Sequence, residues 1–190
     1  MKKIFFLVIL LIILGGAGLW ALSGSSIKKE LDSCRSITEE PAKSRCFTKL
    51  AVEERDYDLC NNIEVASTRG YCEIDVAGVK GDLSYCYNKA REGQADSCFR
   101  SVAIGTLDES KCELMSEFMR NGQGPYTSCY SQVAILKEKP SVCEGLRQGY
   151  RDGCYFDYAV SKKDKSVCEK ILSTFERDQC LRTIETGIYR

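Results

Sequence analysis

The chain has 190 residues, twelve of them cysteine and none histidine. Its 27 basic and 27 acidic side chains cancel, so no net charge draws it to nucleic acid or an anionic surface. The lack of histidine excludes Ser-His-Asp and Cys-His dyads, mixed Cys/His zinc sites and a histidine pH switch.

Taken from the N-terminus, Lys2 and Lys3 precede an uncharged stretch from Ile4 to Leu22. As a helix these residues would span about 28 Å, enough for the hydrocarbon core of a bilayer. Trp20 falls where an interfacial aromatic is expected. Residues 1–22 therefore read as a hydrophobic helix, a retained anchor or a secretory signal, with Ala21-Leu22-Ser23 offering a small-residue cleavage site. Either way the two lysines hold the N-terminus inside and put the remainder outside the cytoplasm. Residues 23–30 read as a Ser/Gly tether, and 31–190 as a cysteine-rich helical domain. Twelve cysteines suit an oxidising compartment, as a disulfide framework.

The cysteines stand at 34, 46, 60, 72, 86, 98, 112, 129, 143, 154, 168 and 180. Intervals of about 12 alternate with intervals of 14, giving a two-cysteine unit of about 26 residues, present six times. A fixed period of this size marks an array of one supersecondary element. Other residues keep the same phase. Asp, Ser or Thr stands two residues before every cysteine except Cys72, where Gly70 does. An apolar residue and an alanine follow the second cysteine in Leu50-Ala51, Val76-Ala77, Val102-Ala103, Val133-Ala134 and Tyr158-Ala159, while the last unit has Ile184-Glu185. Five residues beyond the alanines lie Asp56, Asp82, Asp108, Lys139 and Asp164.

The pattern within a unit is helical. Cys98, Phe99, Val102 and Ala103 share a helix face, and so do Val167, Cys168, Ile171, Leu172 and Phe175. The tetrads Ser110 to Glu113, Ser141 to Glu144 and Ser166 to Glu169 match capping boxes, which places the first cysteine of a unit in the first turn of a short helix. Pro41 and Pro125 suit the start of a second, longer helix. Period-two strand patterns are absent. The expected fold is all-α: six disulfide-stapled αα-hairpins in an α-solenoid-like array. Helices this short are marginal alone, so stacking and cross-links must hold them. Each closed loop of about 12 residues contributes about 2–4 kcal/mol.

Pairing within a unit leaves no orphan, whereas pairing across the 14-residue interval strands Cys34 and Cys180. Cys46 and Cys60 would also be offset by about 10 Å along the hairpin, beyond disulfide reach. The expected bonds are Cys34–Cys46, Cys60–Cys72, Cys86–Cys98, Cys112–Cys129, Cys143–Cys154 and Cys168–Cys180.

Little else in the chain suggests chemistry. It has no Cys-x-x-Cys and no close cysteine pairs of the kind that bind zinc or iron–sulfur clusters. Gly122-Gln123-Gly124 lacks the rest of a phosphate-binding loop. Ser25-x-x-Lys28 belongs to the tether, and Glu39-Glu40 and Glu53-Glu54 read as solvated helix ends. No metal or cofactor is expected. The one irregularity is the fourth unit, with 17 residues between cysteines; the extra five fall near Arg120 to Pro125. Insertions in repeat arrays map to loops, often on the binding face. Tyr130 and Tyr155 take the core position of Phe47 and Phe99. Tyr126 and Tyr150 lie closer to the turns, so the candidate binding residues are Asn121, Gly122, Gln123, Gly124, Tyr126 and Tyr150.

The Asp-x-Ser-x-Cys and Cys-x-x-x-Val-Ala patterns resemble those of cysteine-rich helical repeats in uncharacterised secreted or membrane-anchored proteins of archaeal type. That resemblance covers about residues 31–190 and implies no activity. The architecture is also similar to disulfide-stapled Sel1-like repeats, arrays used in interactions, although period and cysteine spacing depart from them. The expected function is a non-catalytic extracytoplasmic scaffold, structural or binding a protein partner, with the membrane met through the N-terminal helix and no nucleic acid bound. Two alternatives stand beside it: an enzyme built on carboxylate, lysine or tyrosine groups, and a thiol-redox protein.

Overall fold

The computed structural model describes residues 27–88, 93–116 and 123–188. The apolar stretch Ile4 to Leu22 and the loop residues Asn121 and Gly122 lie outside them. Among the described residues all regular structure is helical, and no helix is long and apolar enough to cross a membrane. Helix α1 spans 27–36 and so begins inside the stretch read as tether. Then come α2 (Glu40–Glu54), a 3-10 segment (Tyr57–Asn62), α3 (Ala66–Lys80), α4 (Leu83–Asn88) and α5 (Ala95–Thr106). A second 3-10 segment (Glu109–Leu114) leads to α6 (Gln123–Lys137), and a third (Pro140–Gly145) to α7 (Gln148–Lys162), α8 (Lys165–Cys168) and α9 (Thr174–Thr186). Contacts gather the chain into two compact units, Met1–Arg69 and Gly70–Arg190.

The cysteines pair as the spacing predicts. Cys34–Cys46, Cys86–Cys98, Cys112–Cys129, Cys143–Cys154 and Cys168–Cys180 are bonded, with Cα separations of 5.4–6.0 Å. Cys60 and Cys72 are disulfide-bonded too, and no cysteine is free. Six disulfides point to an oxidising, extracytoplasmic environment.

The invariant 14-residue interval has a geometric cause. Each long helix before α9 ends in a left-handed residue, which is Arg55, Gly81, Leu107, Glu138 or Lys163. The amide of the following residue then donates back to the repeating alanine: Asp56 to Ala51, Asp82 to Ala77, Asp108 to Ala103, Lys139 to Ala134 and Asp164 to Ala159, each at 2.9 Å. This is the Schellman closure. It fixes the number of residues between one long helix and the next short segment, whereas the disulfide-closed side tolerates separations of 11 to 17.

The capping boxes are not formed. The caps are the aspartates two residues earlier: Asp56, Asp108 and Asp164 accept from the amides of Asp58, Ser110 and Ser166. Ser110 and Ser166 also donate their hydroxyls to these carboxylates. The segment Pro140–Gly145, where Lys139 stands in place of the aspartate, has no such side-chain cap. Three of the short segments are 3-10 rather than α, too tightly wound and too brief for a serine to cap its third amide. The stripe from Val167 to Phe175 is broken as well. Helix α8 stops at Cys168, and Ser173 caps α9 by accepting from the Glu176 amide. Leu172 and Phe175 are consequently 56% and 72% exposed, whereas Val167, Cys168 and Ile171 are buried.

In the second compact unit the long helices pack in series, α5 on α6, α6 on α7 and α7 on α9. Buried on them are the residues that follow each long-helix cysteine, such as Phe99, Val102 and Ala103, then Tyr130, Val133 and Ala134, then Tyr155, Tyr158 and Ala159. Two aspartates placed two residues before such cysteines reach forward to the next turn. Asp96 accepts from the Ser116 amide and hydroxyl, and Asp152 from the amides of Leu172 (3.1 Å) and Ser173 (3.0 Å). Helices α3 and α5 approach closely at glycines: a Cβ at Gly105 would stand 2.3 Å from the Gly78 carbonyl oxygen.

Candidate functional site

Three of the disulfides bring together the residues that follow their two cysteines. Beside Cys86–Cys98 these are Tyr87 and Phe99, with rings edge to face at 5.0 Å. Beside Cys112–Cys129 they are Glu113 and Tyr130, whose hydroxyl donates to Glu113 Oε1 at 2.5 Å. Beside Cys143–Cys154 they are Glu144 and Tyr155, joined by a longer contact of 3.4 Å. The glutamates expected to cap their own segments instead reach across the hairpin.

In the fourth unit this pair grows into a cluster. Tyr126 lies one turn before Tyr130 on α6, and its hydroxyl also donates to Glu113 Oε1. Its ring meets Tyr130 edge to face at 5.3 Å and Tyr150 of α7 at 6.4 Å. Gly145 closes the other side: a Cβ there would stand 3.1 Å from the Tyr130 ring. Burial, and then the Glu113 carboxylate, hold the Tyr130 phenol far above its ordinary range. Tyr155 is raised for like reasons, burial first and the Glu144 charge second. Near neutral pH both are fixed hydrogen-bond donors and not proton-transfer groups.

The residues singled out from sequence fall unevenly around this cluster. Tyr126 is 7% exposed and belongs to its interior, where the sequence suggested a surface position. Tyr150 is half-buried at its edge. Gln123 opens α6, and Gly124 beside it is exposed, with open space where a Cβ would be. Glu113 is the member that sequence reasoning missed. The signal was its place directly after Cys112, matched by Tyr130 directly after Cys129. Among the described residues no group of three or more His, Cys, Asp or Glu side chains is arranged to hold a metal ion. Set against known protein families, curated proteins and solved structures, the chain finds no match.

Proposed function

We propose that the chain is a non-catalytic, extracytoplasmic scaffold of six disulfide-stapled hairpins in series. The apolar N-terminal helix holds it at a membrane, or releases it if that helix is cleaved, and the fourth unit is where it binds protein partners. One observation carries this reading. The only unit lengthened between its cysteines is also the one in which two tyrosines share one carboxylate, with Tyr150 of the next unit against the ring of Tyr126. Tyr150 at the edge of the cluster offers apolar area with a polar tip. The phenols support a binding role over an acid–base one, because both point inward to Glu113 and are spent on it.

The test is photo-crosslinking in the native membrane, with a photoreactive residue placed at Gly124, at Tyr150 or, as a control, at Glu54. Protein adducts are expected at the first two positions only. Adducts at all three, or at none, would refute the binding role. Staple and compartment are tested separately, by labelling of native and reduced material with a membrane-impermeant thiol reagent.

A further inference from the structure

The packing in series of the second compact unit has a register. Arg100, two residues after Cys98 on α5, donates to Ser128 Oγ of α6 at 3.2 Å. Ser131, two residues after Cys129 on α6, donates to Asp157 Oδ2 of α7 at 2.9 Å. At these two of the three packed pairs the donor comes from the same position, which on α7 is Phe156. The acceptors lie just before, or three residues after, the cysteine of the incoming helix. Those two positions are four residues apart and share a face. On α9 the donor position is Arg182. No helix among the described residues covers it, and its guanidinium has no partner among them.

Around Arg182 runs a groove of about 480 Å³ along α9, with Phe175 at one end and Ile188 at the other. These two side chains are 72% and 56% exposed. We propose that this face of α9 docks an amphipathic helix of a partner protein, laid where a following long helix would lie. A carboxylate, alone or with a second acceptor four residues away, meets Arg182, and apolar residues one to two turns off on either side cover Phe175 and Ile188. The occupant is not a second copy stacked end to end. The first long helix, α2, carries Arg45 and Lys49 at the two acceptor positions, and both would repel Arg182. The face is separate from the tyrosine cluster, and its occupancy does not depend on that cluster's role.

The probe is a synthetic peptide with the α7 sequence, residues 148–163, with Cys154→Ser and a hydrocarbon staple on its outer face, so that Asp157 supplies the carboxylate. Binding to the full chain is expected to weaken about tenfold or more with an Asp157→Lys peptide or an Arg182→Glu chain, and to recover when the two are combined. Phe175→Ser should weaken it comparably. Arg182 and Phe175 are surface side chains, and circular dichroism with mapping of Cys168–Cys180 verifies that their variants fold. Failure of the peptide to bind, or binding indifferent to the charge swap, would overturn the proposal. So would a concentration-dependent dimer abolished by Phe175→Ser, which would assign the face to a second copy.

Discussion

Gly105→Ala is the sharpest test of how the long helices sit together. An added Cβ would stand 2.3 Å from the Gly78 carbonyl oxygen, 2.5 Å from its carbon and 3.1 Å from the Val79 nitrogen. All three are backbone atoms, so no side chain can turn aside. Restoring ordinary contact requires α3 and α5 to separate by about 1 Å, in an interior packed too tightly to absorb it. Overpacking of this kind costs about 1–3 kcal/mol and sometimes more, against about 1 kcal/mol gained by replacing a helical glycine. The expected net loss is about 1–2 kcal/mol, or a melting temperature lower by about 2–8 °C for a chain of this size. Gly149→Ala is the control, since nothing lies within 4 Å of its Cβ position. It should be neutral or stabilising by up to about 1 kcal/mol. The assay is thermal and urea unfolding with disulfides intact, followed by the helical circular dichroism signal. If Gly105→Ala matches Gly149→Ala, the close approach of α3 and α5 is wrong.

The left-handed helix ends predict that Leu107→Gly and Lys163→Gly stabilise by about 0.5–1 kcal/mol, whereas Gly81→Ala destabilises by at least that much in the same melts. Asp152→Ala should cost about 2–3 kcal/mol by orphaning two backbone amides, while Asp178→Ala, the exposed counterpart in the last unit, should cost under about 0.5 kcal/mol. Asp108 is held below the usual carboxylate range, first by the Ser110 hydroxyl. Its folded-state pKa is depressed, so the stability it adds is present above the unfolded value and lost as pH falls through the lower folded one. Asp108→Asn should therefore flatten the acid limb of a stability-against-pH curve, and an unchanged limb would refute the cap. Peptide mapping under non-reducing conditions should return Cys60 joined to Cys72, and a Cys46–Cys60 fragment would contradict the within-unit scheme.

The helical fold and the staples were readable because both depend on spacing alone. A period of 26 and a hairpin with equal arms leave little choice of partner for Cys86 or Cys112. Tyr130 and Tyr155 were readable as core for the same reason, since they share phase with Phe47 and Phe99. The caps were misjudged because serine and aspartate stand two residues apart and both accept from amides. Asp108 wins over Ser110 because it stands at the N-cap position just outside its segment, as Asp164 does before α8. The stripe ending in Phe175 failed because helical spacing continues by chance across a break. Ser173-x-x-Glu176, an N-terminal signature in plain view, marked the restart. Tyr126 looked peripheral because it adjoins the insertion, but one helical turn before Tyr130 puts its hydroxyl at the same carboxylate.

Because each staple joins a cysteine to the next one along the chain, the order of synthesis can choose the pairing. A chain delivered N-terminus first into an oxidising compartment presents Cys34 and then Cys46 before Cys60 arrives. Once that bond has closed, Cys60 finds no earlier thiol and must wait for Cys72. The first bond thus sets the parity for all that follow, and a single early mispairing of Cys46 with Cys60 would shift every later choice. Oxidative refolding of the fully reduced chain has no such order and should pass through species paired across the 14-residue interval, which vectorial delivery avoids without an isomerase.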